Sequence, residues 1–435
     1  MTTRPAPFIT LWYSFGAFFI VALMAMVWLG IRLTRTPLPA REVPLSPELA
    51  LVRYAPPPLR DVVGGDTSDP GPLLQAMEQS LRYYRQLPPD VDRRFGRETV
   101  PVSNLVETLE DVSSRLAQEG FSPAFFDYLR ENYLFYKTAA ERVLVTGYYE
   151  PEVAGSLSPD SEYRYPLYAP PTDLVHIPEP AVSLRVGVPA PERVGRLSDS
   201  GEVVPYYDRS EIDGSSILSG RGLELVYLRD PIARFFIHIQ GSGTIVLPNQ
   251  QRIRVGFAAK NGLPYRPIGR LLVERGILSP EQVTMQSIRS YLEQHPDQQH
   301  EIFGYNPSYI FFRLVSEGPI GSIGVPITPF RTIATDNRLF PSGALAFLIT
   351  DIPAANKSGV PVPFSALVMN QDTGDAIRGP GRVDLFTGRG HAEEEIAGRM
   401  RQSGMIYFLR KKVSKRVSEK EMGALESEPA SQEVW

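Results

Sequence analysis

From Val143 to about Leu409 the chain is a succession of short aromatic and β-branched runs, each cut off by glycine or proline. No other feature narrows the choice of fold so far. Val143–Tyr149, Tyr163–Tyr168, Phe235–Gln240, Thr244–Leu247 and Gln251–Ala258 read as strands, and Gly241-Ser242-Gly243 reads as the turn between the third and the fourth. The 41 prolines and 35 glycines are spread through the chain, as many turns between many strands require. Helical spacing precedes this region. Leu73, Leu74, Met77, Leu81 and Tyr84 mark one helix over 72–87, and Leu105, Leu109, Val112 and Leu116 mark another over 103–118. Ser122 is placed to cap a third helix, with Phe125, Phe126, Tyr128 and Leu129 inside it. Later helices are predicted over Ile268–Arg275, from Ser279 with Gln282 as a capping box, and near Glu393–Met400. No internal repeat is visible.

The N-terminus has a different character. Phe8 to Ile31 carries no charge, and about 20 apolar residues suffice to cross a bilayer as a helix. Arg4 precedes the run, Arg32, Arg35 and Arg41 follow it, and no small-x-small cleavage site is present. The segment therefore reads as an uncleaved signal anchor. Basic residues at both ends leave its orientation open. Residues 36–66, with Pro37, Pro39, Pro44, Pro47, Pro56-Pro57-Pro58 and Gly64-Gly65, read as a semi-extended linker. The charged tail from Lys411 reads as disordered.

Several chemistries are excluded. The chain has no cysteine, so it has no disulfide, thiolate metal site, cysteine nucleophile or lipid-bearing cysteine. There is no His-Glu-x-x-His, Gly-x-Ser-x-Gly, P-loop, or Gly-x-Gly-x-x-Gly opening a helix. His176, His238, His295, His300 and His391 show no metal-ligand spacing, and no metal or organic cofactor is expected. His238, in an alternating run, reads as a satisfied structural histidine. A formal net charge of −4 gives no reason to expect nucleic acid as a partner. What remains is a set of aspartates among glycines. Asp372 follows the apolar Ala366–Met369, Asp384 precedes Leu385-Phe386, and Asp336 lies upstream near Pro341 and Gly343. The first two are expected at strand ends, where carboxylates can stand at the rim of a barrel. On spacing alone, turn chemistry and catalysis both remain open.

The arrangement Asp336, then Asp372-Thr373-Gly374-x-Ala376-Ile377-x-Gly379, then Asp384-Leu385-Phe386, resembles the three-aspartate domain of the murein transglycosylase A family. Further motifs follow the family's order: Thr146-Gly147-Tyr148-Tyr149-Glu150-Pro151, Tyr165-Pro166-Leu167-Tyr168, and Tyr207-Asp208-Arg209-Ser210-Glu211-Ile212. So do Asp230-Pro231 with Arg234-Phe235-Phe236 and His238 to Gly243, Gly256-x-Ala258-x-Lys260-Asn261-Gly262, and Asn306-Pro307-Ser308-Tyr309. The resemblance covers roughly 100–410. It implies a mainly β fold with flanking helices: a split double-psi β-barrel over 67–153 and 309–410, with a second β-rich domain, 154–308, inserted between. The N-terminal transmembrane helix (1–35), the linker (36–66) and the tail (411–435) complete the expected organisation. A substrate groove would run between the two domains, lined by Thr146, Tyr148, Gln240, Gly241, Ser242 and Gly243. This chain departs from the pattern at Asp375, where the family often has glycine. That side chain is expected to face solvent, and the Phe8–Ile31 helix is expected to replace the lipid anchor of some members.

The function implied is a lytic transglycosylase that cuts peptidoglycan glycan strands and leaves 1,6-anhydro-muramyl ends. Ordinary glycosidases use two carboxylates. Here the sugar's own 6-hydroxyl would attack, so one carboxyl group can serve. The resemblance assigns that role to Asp384, as acid and then base. Asp372 would raise its pKa by like charge and bind the sugar, and Asp336 would fix a barrel turn. Tyr148, Tyr149 and Tyr165 either stack on sugars or pack the core. Arg378 and Arg382 are read as solvated surface charge. The implied partners are glycan strands, the inner membrane through the N-terminal helix, and cell-wall synthesis complexes, with the catalytic body in the periplasm. Two rival readings are a non-catalytic peptidoglycan-binding or scaffold protein, and a hydrolase that uses water.

Overall fold

The computed structural model describes residues 46–57, 59, 69–178, 192–198, 200–215, 217–353 and 360–412. Six strands close into a barrel. Around the ring stand Arg401–Lys411, Leu345–Ile352, Val362–Asp372, Thr332–Ala334, Arg382–Arg389 and Val143–Glu150, and the last pairs back onto the first. Closure leaves the ring without a free edge. Two of its pairings are parallel: Thr332–Ala334 with Val362–Asp372, and Arg382–Arg389 with Val143–Glu150. Ala346, Leu348, Val368, Leu385 and Phe408 are wholly inaccessible within it. Tyr133–Thr138 adds to the ring at Arg401–Lys411, and Leu51–Tyr54, inside the expected linker, pairs with Tyr133–Thr138 in turn.

The early helices lie against this barrel. Gly71–Tyr84 buries Leu73, Ala76, Met77, Leu81 and Tyr84 on one stripe, and Val102–Glu119 buries Leu105, Leu109, Val112 and Leu116. Gln371 of the barrel donates to the Ala76 carbonyl at 2.7 Å, and the Tyr84 hydroxyl donates to the Ser342 carbonyl at 3.0 Å. Ser122 caps Pro123–Asn132 by accepting from the Phe125 N–H at 3.2 Å.

A second sheet begins one residue after a barrel strand ends. Val143–Glu150 is followed by Pro151 and then Glu152–Ser156, which belongs to a six-stranded sheet with Ile310–Val315, Arg252–Lys260, Ser242–Val246, Glu224–Leu228 and Tyr165–Tyr168. The Pro151 carbonyl accepts from the Thr244 N–H at 2.8 Å, fixing the crossover. Leu167, Val226, Leu228, Ile245, Val255 and Phe312 form the core of this sheet. A helical cluster containing Ile232, Phe235, Phe236, Leu272, Leu292 and Phe303 packs beside it.

Four expectations are corrected. First, the fold is mixed β/α and not mainly β. Second, among the described residues no helix is long and apolar enough to cross a membrane. The Phe8–Ile31 run lies outside the described residues, as does the tail beyond Lys412. The N-terminal transmembrane helix, and the inner-membrane partner and location that rested on it, are withdrawn, because no spanning helix stands among the described residues. Third, Phe235–Gln240 is no strand but the body of the helix Pro231–Gln240. A short, largely apolar run fits a buried helix as well as a strand. The deciding signal was Asp230-Pro231: Asp230 caps the helix at the Ile232 N–H, and proline at the first position needs no donor. Fourth, the helix expected from Ser279 is Met285–Gln294, with Thr284 and Ser287 forming the capping box. Ser279 and Gln282 instead close a turn ahead of it.

Candidate active site

Strand register assembles the site. Thr146 is the Cα partner of Asp384, Asp384 of Ala334, and Ala334 of Asp372, so these four form one row across four barrel strands. Cross-strand partners point to the same face. The two aspartates thus stand on either side of Ala334, whose methyl group leaves the space between them open.

Their surroundings differ. The Thr146 hydroxyl donates to Asp384 Oδ1 at 2.7 Å, and Arg382 donates to the Thr146 Oγ1 at 3.2 Å. Asp372 accepts from the Tyr148 hydroxyl at 3.0 Å and from the Ser322 and Thr373 N–H groups at 2.9 and 2.8 Å. Burial is the main force on Asp384 and pushes its carboxyl up to about 6, against the Thr146 hydrogen bond and the Arg382 charge; the Asp372 charge adds to the rise. Burial likewise pushes Asp372 up to about 6, although its three donors oppose it. The Tyr148 hydroxyl, buried beside both carboxyls, is held well above the ordinary phenol range and stays protonated.

Both aspartates line a cavity of about 990 Å³, large for a ligand pocket. Tyr148 and Phe386 line its barrel side; Gln240, Gly241, Ser242 and Gly256 line the side of the second sheet. Gly241 ends the Pro231–Gln240 helix in the left-handed region (φ 76°), a turn that favours glycine, and the strand starts at Ser242. Gln240 stands where its Oε1 accepts from the Tyr149 N–H at 3.3 Å. Thr146 and Gly243 are not among the lining residues: Thr146 supports Asp384 from behind, and Gly243 backs onto Ile237, which leaves no room for a Cβ.

Asp336 stands apart. It is fully buried, just beyond the Thr332–Ala334 strand, and outside the cavity lining. Arg338 clamps it at 2.8 and 2.6 Å, and the Gly379 N–H donates to it at 2.9 Å. Burial alone would raise this carboxyl; the Arg338 and Gly379 hydrogen bonds and the Arg338 charge outweigh burial and hold it below the usual carboxylate range.

Several side chains are placed otherwise than expected. Asp375 does not simply face solvent: Lys260, from the second sheet, reaches both its oxygens at 2.9 Å, and Arg378 joins it at 2.9 Å. A partner 115 residues away is invisible to local reasoning. Arg382, expected to be solvated, touches Thr146. Tyr149 is buried, and Tyr165 packs on the second sheet's core with Arg234 over its ring. Tyr148 packs on Phe386, with ring centroids 5.2 Å apart, as well as reaching Asp372. His238 lies on a helix and is buried. Its Nδ1 is 3.4 Å from Arg209, while its Nε2 has no partner among the described residues. Burial, with Arg209 and Arg234 nearby, keeps it well below the usual histidine range and therefore neutral. The sequence reading did not single out Lys260, Phe257 or Ser322 as site residues, although the first two lie in or beside the Gly256–Gly262 motif.

Comparison with known proteins agrees with this architecture. Residues 144–313 match the MltA specific insert domain, and residues 331–410 match the 3D domain. The crystal structure of a membrane-bound lytic murein transglycosylase from Agrobacterium tumefaciens is 32% identical, with a TM-score of 0.69 over 86% of this chain and 99% of that one. The monoclinic form of MltA from Neisseria gonorrhoeae is 30% identical, with a TM-score of 0.59 over 79% and 89%. Membrane-bound lytic murein transglycosylase A of Vibrio cholerae serotype O1 is 27% identical over 272 residues, which are 61% of this chain and 65% of that protein, just under two thirds of its length. With a relative above 30% identity matched over nearly its whole length, this chain belongs to the MltA-type family of membrane-bound lytic murein transglycosylases.

Proposed function

We propose that this protein is a lytic transglycosylase that cleaves the MurNAc–GlcNAc β-1,4 bond of peptidoglycan, with Asp384 as its single acid and base. In this reading the barrel domain (67–153 and 309–410) and the inserted domain (154–308) hold the glycan strand between them. Asp384 gives its proton to the glycosidic oxygen as the bond from C1 breaks. The muramyl 6-hydroxyl oxygen then bonds to C1, and its proton passes to the Asp384 carboxylate. The acid is regenerated, no water is consumed, and the product carries a 1,6-anhydro ring.

One observation carries the reading. Asp384 opens into the cleft, yet burial pushes its carboxyl up to about 6, with only the Thr146 hydroxyl as a neutral partner. A group so poised keeps a protonated fraction near neutral pH, far larger than an ordinary aspartate would, and can take a proton back. Tyr148, Gln240, Gly241, Ser242 and Asp372 line the same cleft and would meet sugar hydroxyls and acetamido groups, with Thr146 and Gly243 behind them. Tyr148 and the two N–H groups on Asp372 would keep that carboxyl oriented. Asp336, locked by Arg338 and Gly379, would hold the turn beside the site.

The test is product analysis. Purified murein incubated with the protein should yield muropeptides lighter by one water than their hydrolysed counterparts, and Asp384→Asn should yield none. Reducing ends in place of anhydro ends would identify a hydrolase. Binding without any product would identify a scaffold, and an active Asp384→Asn would remove the residue from the mechanism.

A further inference from the structure

Within the cleft one phenylalanine stands half-exposed. Phe257 is 48% exposed and lines the cavity that holds Asp372 and Asp384. Burying a phenylalanine normally gains roughly 1.5–3 kcal/mol, so a half-exposed ring forgoes much of that gain. Tyr54, another exposed aromatic, meets the Tyr407 ring and has Lys137 over its face. Phe257 has no ring contact among the described residues, and of the exposed large hydrophobics there, it alone lines the cavity.

The backbone explains how the ring comes to face outward. Phe257 lies in the Arg252–Lys260 strand, whose pairing with Ile310–Val315 shifts register between Phe257 and Ala259. Such an irregularity re-aims a side chain. Its neighbours on the strand, Gly256 and Ala258, are small and line the cavity too, and Gly256 is the cross-strand partner of Ser242. Gly256 and Ala258 thus put no large side chain beside the ring. Polar groups stand at its margin: Arg313, whose Nε donates to the Phe257 carbonyl at 3.4 Å, and Lys260, held by Asp375. An apolar face ringed by hydrogen-bonding groups matches a pyranose, which offers axial C–H groups on one face and hydroxyls around its edge.

We propose that Phe257 forms a glycan subsite of the cleft, stacking on one sugar ring of a β-1,4-linked N-acetylhexosamine strand outside the Asp372–Asp384 pair. It rests on the proposed function for the identity of the ligand, but its test does not require turnover. The experiment measures binding of a β-1,4-linked N-acetylglucosamine hexamer to the full chain carrying Asp384→Asn, by calorimetry. Adding Phe257→Ala should weaken binding by about five- to tenfold, and Phe257→Tyr should restore it. Phe257→Trp supplies a second readout. The chain's own tryptophans, Trp12, Trp28 and Trp435, lie outside the described residues, and emission from position 257 should shift on saturation with the hexamer. Unchanged affinity in Phe257→Ala overturns the subsite, as does a silent tryptophan in the presence of saturating hexamer, or failure of the parent chain to bind the hexamer. If binding depends on Phe257 but murein yields no anhydro product, the subsite stands and the transglycosylase reading falls.

Discussion

At the C-terminal end of one short barrel strand, Thr332–Ala334, two aspartates are treated in opposite ways. Asp384 is aligned with Ala334 at the cleft; Asp336, two residues further along the chain, lies outside the cleft. Burial acts on both. At Asp336 it is overcome by three hydrogen bonds from Arg338 and one from the Gly379 N–H, so the carboxyl is held low. At Asp384 it meets one hydroxyl and a neighbouring guanidinium, and the carboxyl rises to about 6. A carboxylate held low is useful as an anchor and useless as an acid; a raised one is the reverse. The difference between structure and chemistry here lies in the number and charge of the donors.

The sharpest break of this comparison is Asp384→Asn. It should lower anhydro-muropeptide release by about three orders of magnitude or more, read by mass spectrometry, while the fold survives. Asp336→Ala should do the converse. It leaves Gly379 N–H and Arg338 without their acceptor and should cost about 3 kcal/mol in denaturant unfolding, with cleft chemistry affected far less per unit of stability lost.

The pH dependence should separate the two residues as well. The folded Asp384 carboxyl holds its proton more tightly than the unfolded one, so its cost to folding is fully present above about pH 6 and fades as pH falls towards the unfolded value. Asp384→Asn should therefore stabilise the protein by roughly 1–3 kcal/mol at pH 7.5 and by little at pH 4, in thermal scans at the two values. Asp336 has the opposite sign: its contribution is present above the unfolded value and is lost as pH falls through the lower folded one. In the active protein, turnover should decline as pH rises through about 6, because the acid form of Asp384 is lost.

The smallest effect is expected from Thr146→Val. Its hydroxyl lowers the Asp384 pKa, so removing it should raise that pKa and carry the alkaline limb of the rate profile to higher pH. An unmoved limb would mean that the Thr146 hydrogen bond does not tune the acid.

Much of the fold was legible locally. The stripes over Gly71–Tyr84 and Val102–Glu119, the Ser122 cap and the strand at Val143–Glu150 follow from periodicity and capping chemistry within a few residues. The failures share a cause. Pro231–Gln240 is a short helix whose aromatic and β-branched residues pack into two cores, and over so few residues that composition fits a strand as well. Asp375 looked solvated because Lys260 arrives from another sheet. Phe257 looked like an ordinary strand residue because its exposure depends on a register shift against Ile310–Val315.

By itself the sequence determined which residues could do chemistry: no thiol, no metal cluster in its spacing, and aspartates set among glycines in the order of a known family. It also determined where several strands and helices begin, since caps, turns and alternation act over a few residues. Only the tertiary structure decided how each aspartate is surrounded: Asp372 and Asp384 are raised and open to the cleft, while Asp336 is held low. Parallel pairing of Arg382–Arg389 with Val143–Glu150 brings Thr146 to Asp384, and Asp336 finds its clamp in Arg338 and Gly379. A carboxyl's proton affinity is set by burial and by the charges and donors within a few ångströms, and those neighbours come from strands that only the closed barrel brings together.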